Sequence, residues 1–227
     1  MEKNKRQIGI LGGSFDPIHL GHIGLAQDAH DNFDLDQIIF VPVFQSPHKP
    51  EIPLASTLQR VEMLRLALKV NTNFSISDIE LRREELSYTL DTLNYLESKL
   101  SNSQLFLIMG QDNLLGLDSW KDSKKIMARY HILVALRPGL ESSSLEDKVL
   151  GFFNGDSPYR FGKVENETRE FFHRKTDSKL VIFSISPRDI SSNVIRKNIK
   201  HGKPTKKLLP PEVEAYIIEN QIYQTKF

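Results

Sequence analysis

The 227-residue sequence predicts an α/β fold built on a mostly parallel sheet with helices on both faces. Strand-like and helix-like segments alternate along the chain. The strand candidates are continuous, β-branched apolar runs, as expected of strands covered on both sides. A Gly-Gly pair closes the first of them just ahead of a helix, the strand–turn–helix opening of a Rossmann-like domain.

Gln7–Leu11 is the first buried strand, ending in a tight turn at Gly12-Gly13, and a helix follows from His19 to about Phe33. Gln37–Val43 (QIIFVPV) is the second strand. Ser56-x-x-Gln59 has the pattern of a capping box, with Leu58, Val61, Leu64 and Leu68 as an apolar stripe behind it. Phe74–Ile79 is expected to be a strand. Leu90, Leu93, Leu96 and Leu100 mark a helix with Thr89 at its N-cap. Gln104–Met109 and His131–Leu136 are buried strands around a helix at Ser119–Arg129. Leu180–Ser184 is the last clear strand. Ser191–His201 then forms a short helix stopped by Gly202, and Pro210-Pro211 opens a final helix running to about Gln221.

A single domain over 1–227 is expected, with 139–179 as an insertion before the last strand and 190–227 as a C-terminal helical subregion. The insertion opens on polar ESSSLEDK but carries Phe152, Phe153, Tyr159, Phe161, Phe171 and Phe172. Six aromatics are a reason to fold or pack rather than to stay a loose linker. A lid, an oligomer contact (and so a homo-oligomer) and a surface excursion are the readings open for it.

Thirty Lys and Arg balance 29 Asp and Glu, for a formal net charge of +1. A chain this close to neutral lacks the field that holds a long polyanion, so no nucleic-acid partner is expected. Cysteine is absent, which excludes disulfides and thiolate metal sites. The longest apolar run, near Ile38–Phe44, is far below the roughly 20 residues that span a bilayer. With no apolar leader in MEKNKRQ, no membrane association and a cytoplasmic location are expected.

The most informative stretch is GGSFDPIHLGH, Gly12–His22. Glycines admit a ligand close to the backbone, and the following helix tip offers unpaired N–H groups and a positive dipole end, which suit phosphate. His19 and His22 are three apart and share one face of the first turn. Gly21 leaves that surface open. His-x-Gly-His arises by composition alone in about one chain of this make-up in a hundred. A pair of ordinary helix histidines is the plain alternative. A zinc site lacks a third ligand or an H-E-x-x-H pattern.

This stretch resembles the signature of the H-x-G-H nucleotidyltransferases and is similar to that of the bacterial nicotinate mononucleotide adenylyltransferases. The resemblance continues through PVFQSPHK (42–49), SYTLDTL (87–93), GQDNLLGLDSW (110–120), ISSNVIR (190–196) and the closing LPPEVEAYIIENQIY. It implies transfer of AMP from ATP to nicotinate mononucleotide, with pyrophosphate released, in NAD biosynthesis. Magnesium would be bound through the ATP phosphates, with no metal ligand supplied by the protein.

The resemblance also implies a site. His19, His22 and Arg196 would be catalytic. Gly12, Gly13, Ser14, Phe15, Gly110, Asp112, Ile190, Ser191 and Ser192 would bind ATP with them. His48, Lys49, Thr89, Trp120 and Arg137 would bind the mononucleotide: Trp120 stacking on the pyridine, Thr89 meeting its carboxylate, and the basic residues gripping its phosphate. Taken alone, Ser191 reads as an ordinary N-cap and Trp120 as core. Asp112 follows a buried strand and Gly110, where a carboxylate can accept from ribose hydroxyls; a plain turn residue is the competing reading. Ser46, Asn193 and Gln111 depart from the family pattern, which usually has proline, threonine and a small residue there.

Rival readings are an adenylyltransferase for nicotinamide mononucleotide or phosphopantetheine, and a non-catalytic nucleotide sensor. The related aminoacyl-tRNA synthetases would need a K-M-S-K-S-type loop, which is missing. Acid-versus-amide preference is not written in the sequence, because backbone N–H groups would set it.

Overall fold

The computed structural model describes residues 5–47, 54–136, 142–165, 167–186 and 190–224; side chains are described for all of these except 142–144. One eight-stranded sheet runs in the order β3-β2-β1-β4-β5-β8-β7-β6. Its strands are β1 (Arg6–Gly13), β2 (Gln37–Pro42), β3 (Phe74–Ile76), β4 (Ser103–Gly110), β5 (His131–Leu136), β6 (Tyr159–Glu165), β7 (Thr168–His173) and β8 (Lys179–Ser184). All pairings from β3 across to β8 are parallel, and β7 and β6 add an antiparallel hairpin. The mostly parallel α/β architecture is as the sequence predicts.

The helices are α1 (Leu20–Asn32), α2 (Thr57–Leu68), α3 (Ile79–Arg83), α4 (Thr89–Lys99), α5 (Gln111–Leu114), α6 (Ser123–Arg129), α7 (Ser142–Leu150), α8 (Ser192–Lys200) and α9 (Pro211–Glu219). On one face of the sheet, Leu90, Leu93 and Leu96 of α4 pack with Ile126 and Met127 of α6 and Leu145 and Val149 of α7. On the other, Ala26 and Ala29 of α1, Met63 and Leu64 of α2, Ile195 of α8 and Val213 and Ile217 of α9 form a second core. Among the described residues no helix is long and apolar enough to cross a membrane.

Local chemistry accounts for most boundaries. The Ser56–Gln59 capping box forms in full, each side chain bonding the other's backbone N–H. Gly202 sits at φ +64° directly after the His201 C-cap, the left-handed position that ends α8. Several expectations need correction. The first strand runs on through Gly12 and Gly13, because both still pair with β2. The third stops at Ile76, and the five-residue α3 takes up the chain at Ile79. Tyr88, not Thr89, is the N-cap of α4, and no side chain caps it. The helix expected from Ser119 starts at Ser123, after a 3-10 turn over Leu117–Ser119.

The segment between β5 and β8 folds. Its helix α7 and the β6–β7 hairpin widen the sheet, and Phe152, Tyr159 and Phe171 are fully buried. Phe161 meets Phe171 edge-on at 5.8 Å, and the Tyr159 hydroxyl donates to the Met127 carbonyl at 3.4 Å. The hairpin is therefore core, continuous with the sheet. Phe171→Ala should lower the unfolding free energy by about 3–5 kcal/mol, measurable by urea denaturation; a change below about 1 kcal/mol would show the hairpin to be peripheral.

Candidate active site

A cleft opens at the carboxyl ends of β1 and β4, where the strand order reverses direction and where open α/β sheets bind ligands. Glycine ends both strands. A side chain at Gly12 or Gly110 would meet nothing within 4 Å, so the backbone there lies open to the cleft. Gly13 is different: a Cβ would stand 3.1 Å from the Phe15 ring. Phe15 itself is buried, with φ +47°.

The turn from β1 into α1 is held by parts of the chain that are remote in sequence. Arg60, only 2% exposed, donates from Nη1 to the carbonyls of Ser14 (2.8 Å) and Val43 (2.7 Å). The buried Asp16 carboxylate accepts from the N–H groups of Leu54 (2.9 Å) and Ala55 (3.0 Å) and from the Tyr223 hydroxyl (2.7 Å). Arg196 of α8 donates to the Asp16 carbonyl at 2.7 Å and lies 3.8 Å from its carboxylate. Ser192 donates to the Pro17 carbonyl at 2.9 Å. Burial, and the adjacent Asp16 charge, push the Tyr223 phenol well above its ordinary range, so it stays a donor. Burial lowers the Arg60 guanidinium while Asp16 and Tyr223 oppose that shift.

On this platform His19 is the N-cap of α1, and its Nδ1 accepts from the His22 N–H at 3.3 Å. A ring nitrogen that accepts carries no proton, so in the neutral ring the proton belongs on Nε2. The two imidazoles stack with centroids 3.7 Å apart, and Phe15 meets His22 edge-on at 5.1 Å. Gly21 makes room for this: a Cβ there would come 2.9 Å from His19 Nδ1 and 3.4 Å from the Ile190 Cβ. The tip of α8 lies against the same turn, with Ser191 as its N-cap accepting from the Val194 N–H at 3.3 Å. Two helix tips thus converge, each with the positive end of a helix dipole, which suits phosphates; the Leu20 N–H at the tip of α1 is already bonded to the Leu208 carbonyl at 3.0 Å.

Beside the tips a cavity of about 150 Å³ penetrates between β1, β2 and β4. A void of that size holds one benzene-sized ring. Ile10, Val41, Leu107 and Met109 form its apolar floor, and Thr89, Tyr88, Trp120 and Lys121 stand at its wall. The Lys121 ammonium lies 4.1 Å from the centre of the Tyr88 ring. Glu80 is also in the wall. Only 6% exposed, its carboxyl is pushed above the usual carboxylate range by burial, against hydrogen bonds from Thr92 and Ser87 and the Arg83 charge.

Most of the residues singled out in the sequence come together here. Gly12, Gly13, Ser14, Thr89 and Trp120 line the cavity, and His19, His22, Ile190, Ser191, Ser192 and Arg196 surround the converging tips. Gly110 caps α5 on the neighbouring strand end, with Asp112 exposed in the first turn beyond it. Gln111 points inward and is buried, 7% exposed. His48, Lys49 and Arg137 lie outside the described residues. Asp16, Arg60, Tyr223, Glu80, Tyr88 and Lys121 went unnoticed in the sequence. Asp16 had a signal in its place inside the GGSFDP run, as did Tyr88 inside SYTLDTL and Tyr223 at the end of LPPEVEAYIIENQIY.

The family model described as Cytidylyltransferase-like matches residues 10–198. A protein of Dictyoglomus turgidum named "Probable nicotinate-nucleotide adenylyltransferase" is 36% identical over 217 residues, 96% of this chain and 95% of its own. One of the same name from Geotalea uraniireducens is 37% identical over 219 residues, 96% and 98% of the two chains. Among solved structures, Plasmodium falciparum nicotinic acid mononucleotide adenylyltransferase complexed with NaAD superposes with a TM-score of 0.71 at 19% identity, covering 96% of this chain and 97% of that one. The complex of the same enzyme with APC superposes at 0.69. These two establish likeness of fold.

The clamp on the turn makes a simple prediction. Tyr223→Phe removes one buried, charge-assisted hydrogen bond and should cost about 1.5–3 kcal/mol of stability, read as a lowered denaturation midpoint at unchanged slope. An unshifted midpoint would show that the closing segment does not hold the turn.

Proposed function

The chain belongs to the nicotinate-nucleotide adenylyltransferases of the cytidylyltransferase-like family, and we propose from that premise how its cleft transfers the adenylyl group of ATP to nicotinate mononucleotide. The observation that carries the reading is the meeting of two helix tips and a stacked histidine pair beside a ring-sized cavity. The pyridine ring occupies the cavity between Trp120 and the tip of α4, whose uncapped N–H groups face its carboxylate. The triphosphate lies along Gly12–Phe15 and across the tips of α1 and α8. His48, Lys49 and Arg137 are assigned to the mononucleotide phosphate.

The reaction asks little covalent work of the protein. A phosphate monoester has its second ionisation near pH 6, so it is already a nucleophile at neutral pH. Its oxygen forms a bond to the α-phosphorus of ATP while the bond from that phosphorus to the bridging oxygen breaks and pyrophosphate departs in line. Acceleration comes from alignment and from donors aimed at the charge that builds on the phosphoryl oxygens. We assign those donors as His19 Nε2, His22, Arg196 and the backbone N–H groups of the β1–α1 turn. Arg196, with one nitrogen already committed to the Asp16 carbonyl, arrives pre-oriented.

Among the described residues no three His, Cys, Asp or Glu side chains converge as a metal cage. Around the two helix tips the side chains are the His19 and His22 imidazoles, the Ser191 and Ser192 hydroxyls and the Arg196 guanidinium. These suit phosphate oxygens, so a magnesium ion would enter on the triphosphate. When bound, that ion neutralises phosphate charge.

A pyrophosphate-release assay with ATP, magnesium and a panel of nicotinate mononucleotide, nicotinamide mononucleotide and phosphopantetheine tests the substrate. Release with phosphopantetheine alone would overturn it. His22→Ala should lower kcat by about 10²–10³ with the fold retained by circular dichroism; full turnover would remove His22 from the mechanism. Gly21→Ala separates stability from activity. Alanine favours a helix over glycine by roughly 0.8–1 kcal/mol, which offsets the loss of the His19 cap at about 0.5–2 kcal/mol, so the melting temperature should change little. The displaced His19 ring should meanwhile cost on the order of 10²-fold in turnover. Unchanged kcat would show that the ring's position is not critical.

A further inference from the structure

Glu80 is a buried carboxyl, and no other carboxylate is among the described residues that line the cavity. Its Oε1 accepts from Thr92 Oγ1 at 2.5 Å. Its Oε2 is buried with no partner within hydrogen-bond distance, although the Ser87 hydroxyl lies on the same carboxyl. Ser87 Oγ in turn accepts from the Phe44 N–H at 3.2 Å, leaving its proton for a different acceptor. Thr92 and Ser87 both line the cavity. One carboxyl thus faces two hydroxyls that the bound ring would meet.

A hydroxyl that donates to a carboxylate presents only lone pairs elsewhere. If the carboxyl is protonated, it donates to the hydroxyl, and the hydroxyl proton is released to another acceptor. An anionic ring substituent needs donors, whereas a carboxamide uses both donors and acceptors. We propose that Glu80 is a specificity-setting positioning residue for the pyridine substituent: taking up one proton as nicotinate mononucleotide binds, it donates to the Thr92 hydroxyl and so turns that hydroxyl from an acceptor into a donor toward the ring carboxylate, while Ser87 keeps its bond to the same carboxyl. This rests on a pyridine mononucleotide being the acceptor substrate.

The proton comes from solvent and returns to it on release. Two carboxylates close together in a poorly solvated cavity cannot both stay ionised at low cost. Burial already favours the neutral form of Glu80, so uptake starts from a carboxyl predisposed to it. The ionisable groups around it are Arg83 on its own helix, which favours the charged form, and Tyr88 and Lys121 in the cavity wall. Neither Thr92 nor Ser87 titrates. A group that gains a proton on binding makes affinity fall as pH rises. The acid should therefore weaken with pH more steeply than the amide, and the shared phosphate and ribose cancel in that comparison.

The test measures dissociation constants of nicotinate and nicotinamide mononucleotide from pH 5.5 to 9 by titration calorimetry, in buffers of different ionisation enthalpy. Above the carboxyl's own titration, wild-type affinity for the acid should fall by up to about tenfold per pH unit beyond the trend in Glu80→Gln. Proton uptake on binding the acid should be smaller in Glu80→Gln than in wild type. Thr92→Ser should keep the wild-type profile and Thr92→Val should lose it, which tests the relay even if Glu80→Gln does not fold. Parallel pH profiles with equal proton uptake in wild type and Glu80→Gln, or in Thr92→Ser and Thr92→Val should the former not fold, would overturn the proposal. A separate pyrophosphate-release assay identifies which reading has failed. No release with nicotinate mononucleotide removes the substrate, while release with parallel profiles removes only the role of Glu80.

Discussion

The Asp16 carboxylate gathers the Leu54 and Ala55 N–H groups and the Tyr223 hydroxyl, and its backbone carbonyl takes a bond from Arg196. Through these contacts the entry to α2, the helix α8 and the closing segment all converge on one turn of five residues. A buried charge is costly to leave unpaired, so each partner is obliged to stay. Arg60 adds a second clamp between the ends of β1 and β2. The positions of Gly12, Gly13 and the two histidines follow from that clamping, and so does the closeness of the tips of α1 and α8. Remove the carboxylate and the arrangement loses its common point.

Rigidity of this kind suits phosphoryl chemistry, in which the reacting groups need placement more than activation. Backbone N–H groups cannot change rotamer, and helix tips cannot reorient without moving whole helices. The histidines are the mobile exception, and they are constrained in turn by stacking on one another, by Phe15 and by the absence of a side chain at Gly21. The adjoining cavity combines a floor from β1, β2 and β4 with side chains of α3, α4 and the segment around Trp120. Gly12, Gly13 and Ser14 belong both to the clamped turn and to the cavity lining, so the two are joined at the end of β1.

What was legible in the sequence is what has a local signature. Apolar runs marked the central strands, the Ser56–Gln59 box marked the start of α2, and Gly202 marked the end of α8. The first helix tip was legible because glycines, a proline and two histidines fall within eleven residues. Five-residue α3 was not, since it is too short for a periodic stripe and has no capping bond. The hairpin strands were also hidden. Charged residues occupy the exposed side of β6, and the register shift between Phe161 and Lys163 breaks its alternation. Partners of the Asp16 carboxylate could not be found by any window along the chain, for Tyr223 lies 207 positions away.

That separation bears on how the protein is made. Synthesis at about 5–20 residues per second places Tyr223 roughly 10 to 40 s behind Asp16. The strands and helices of the amino-terminal half can pair during that interval, yet the turn between β1 and α1 still lacks its bond from Tyr223. A chain elongated only as far as α8 therefore still lacks one of the contacts that hold the turn between β1 and α1.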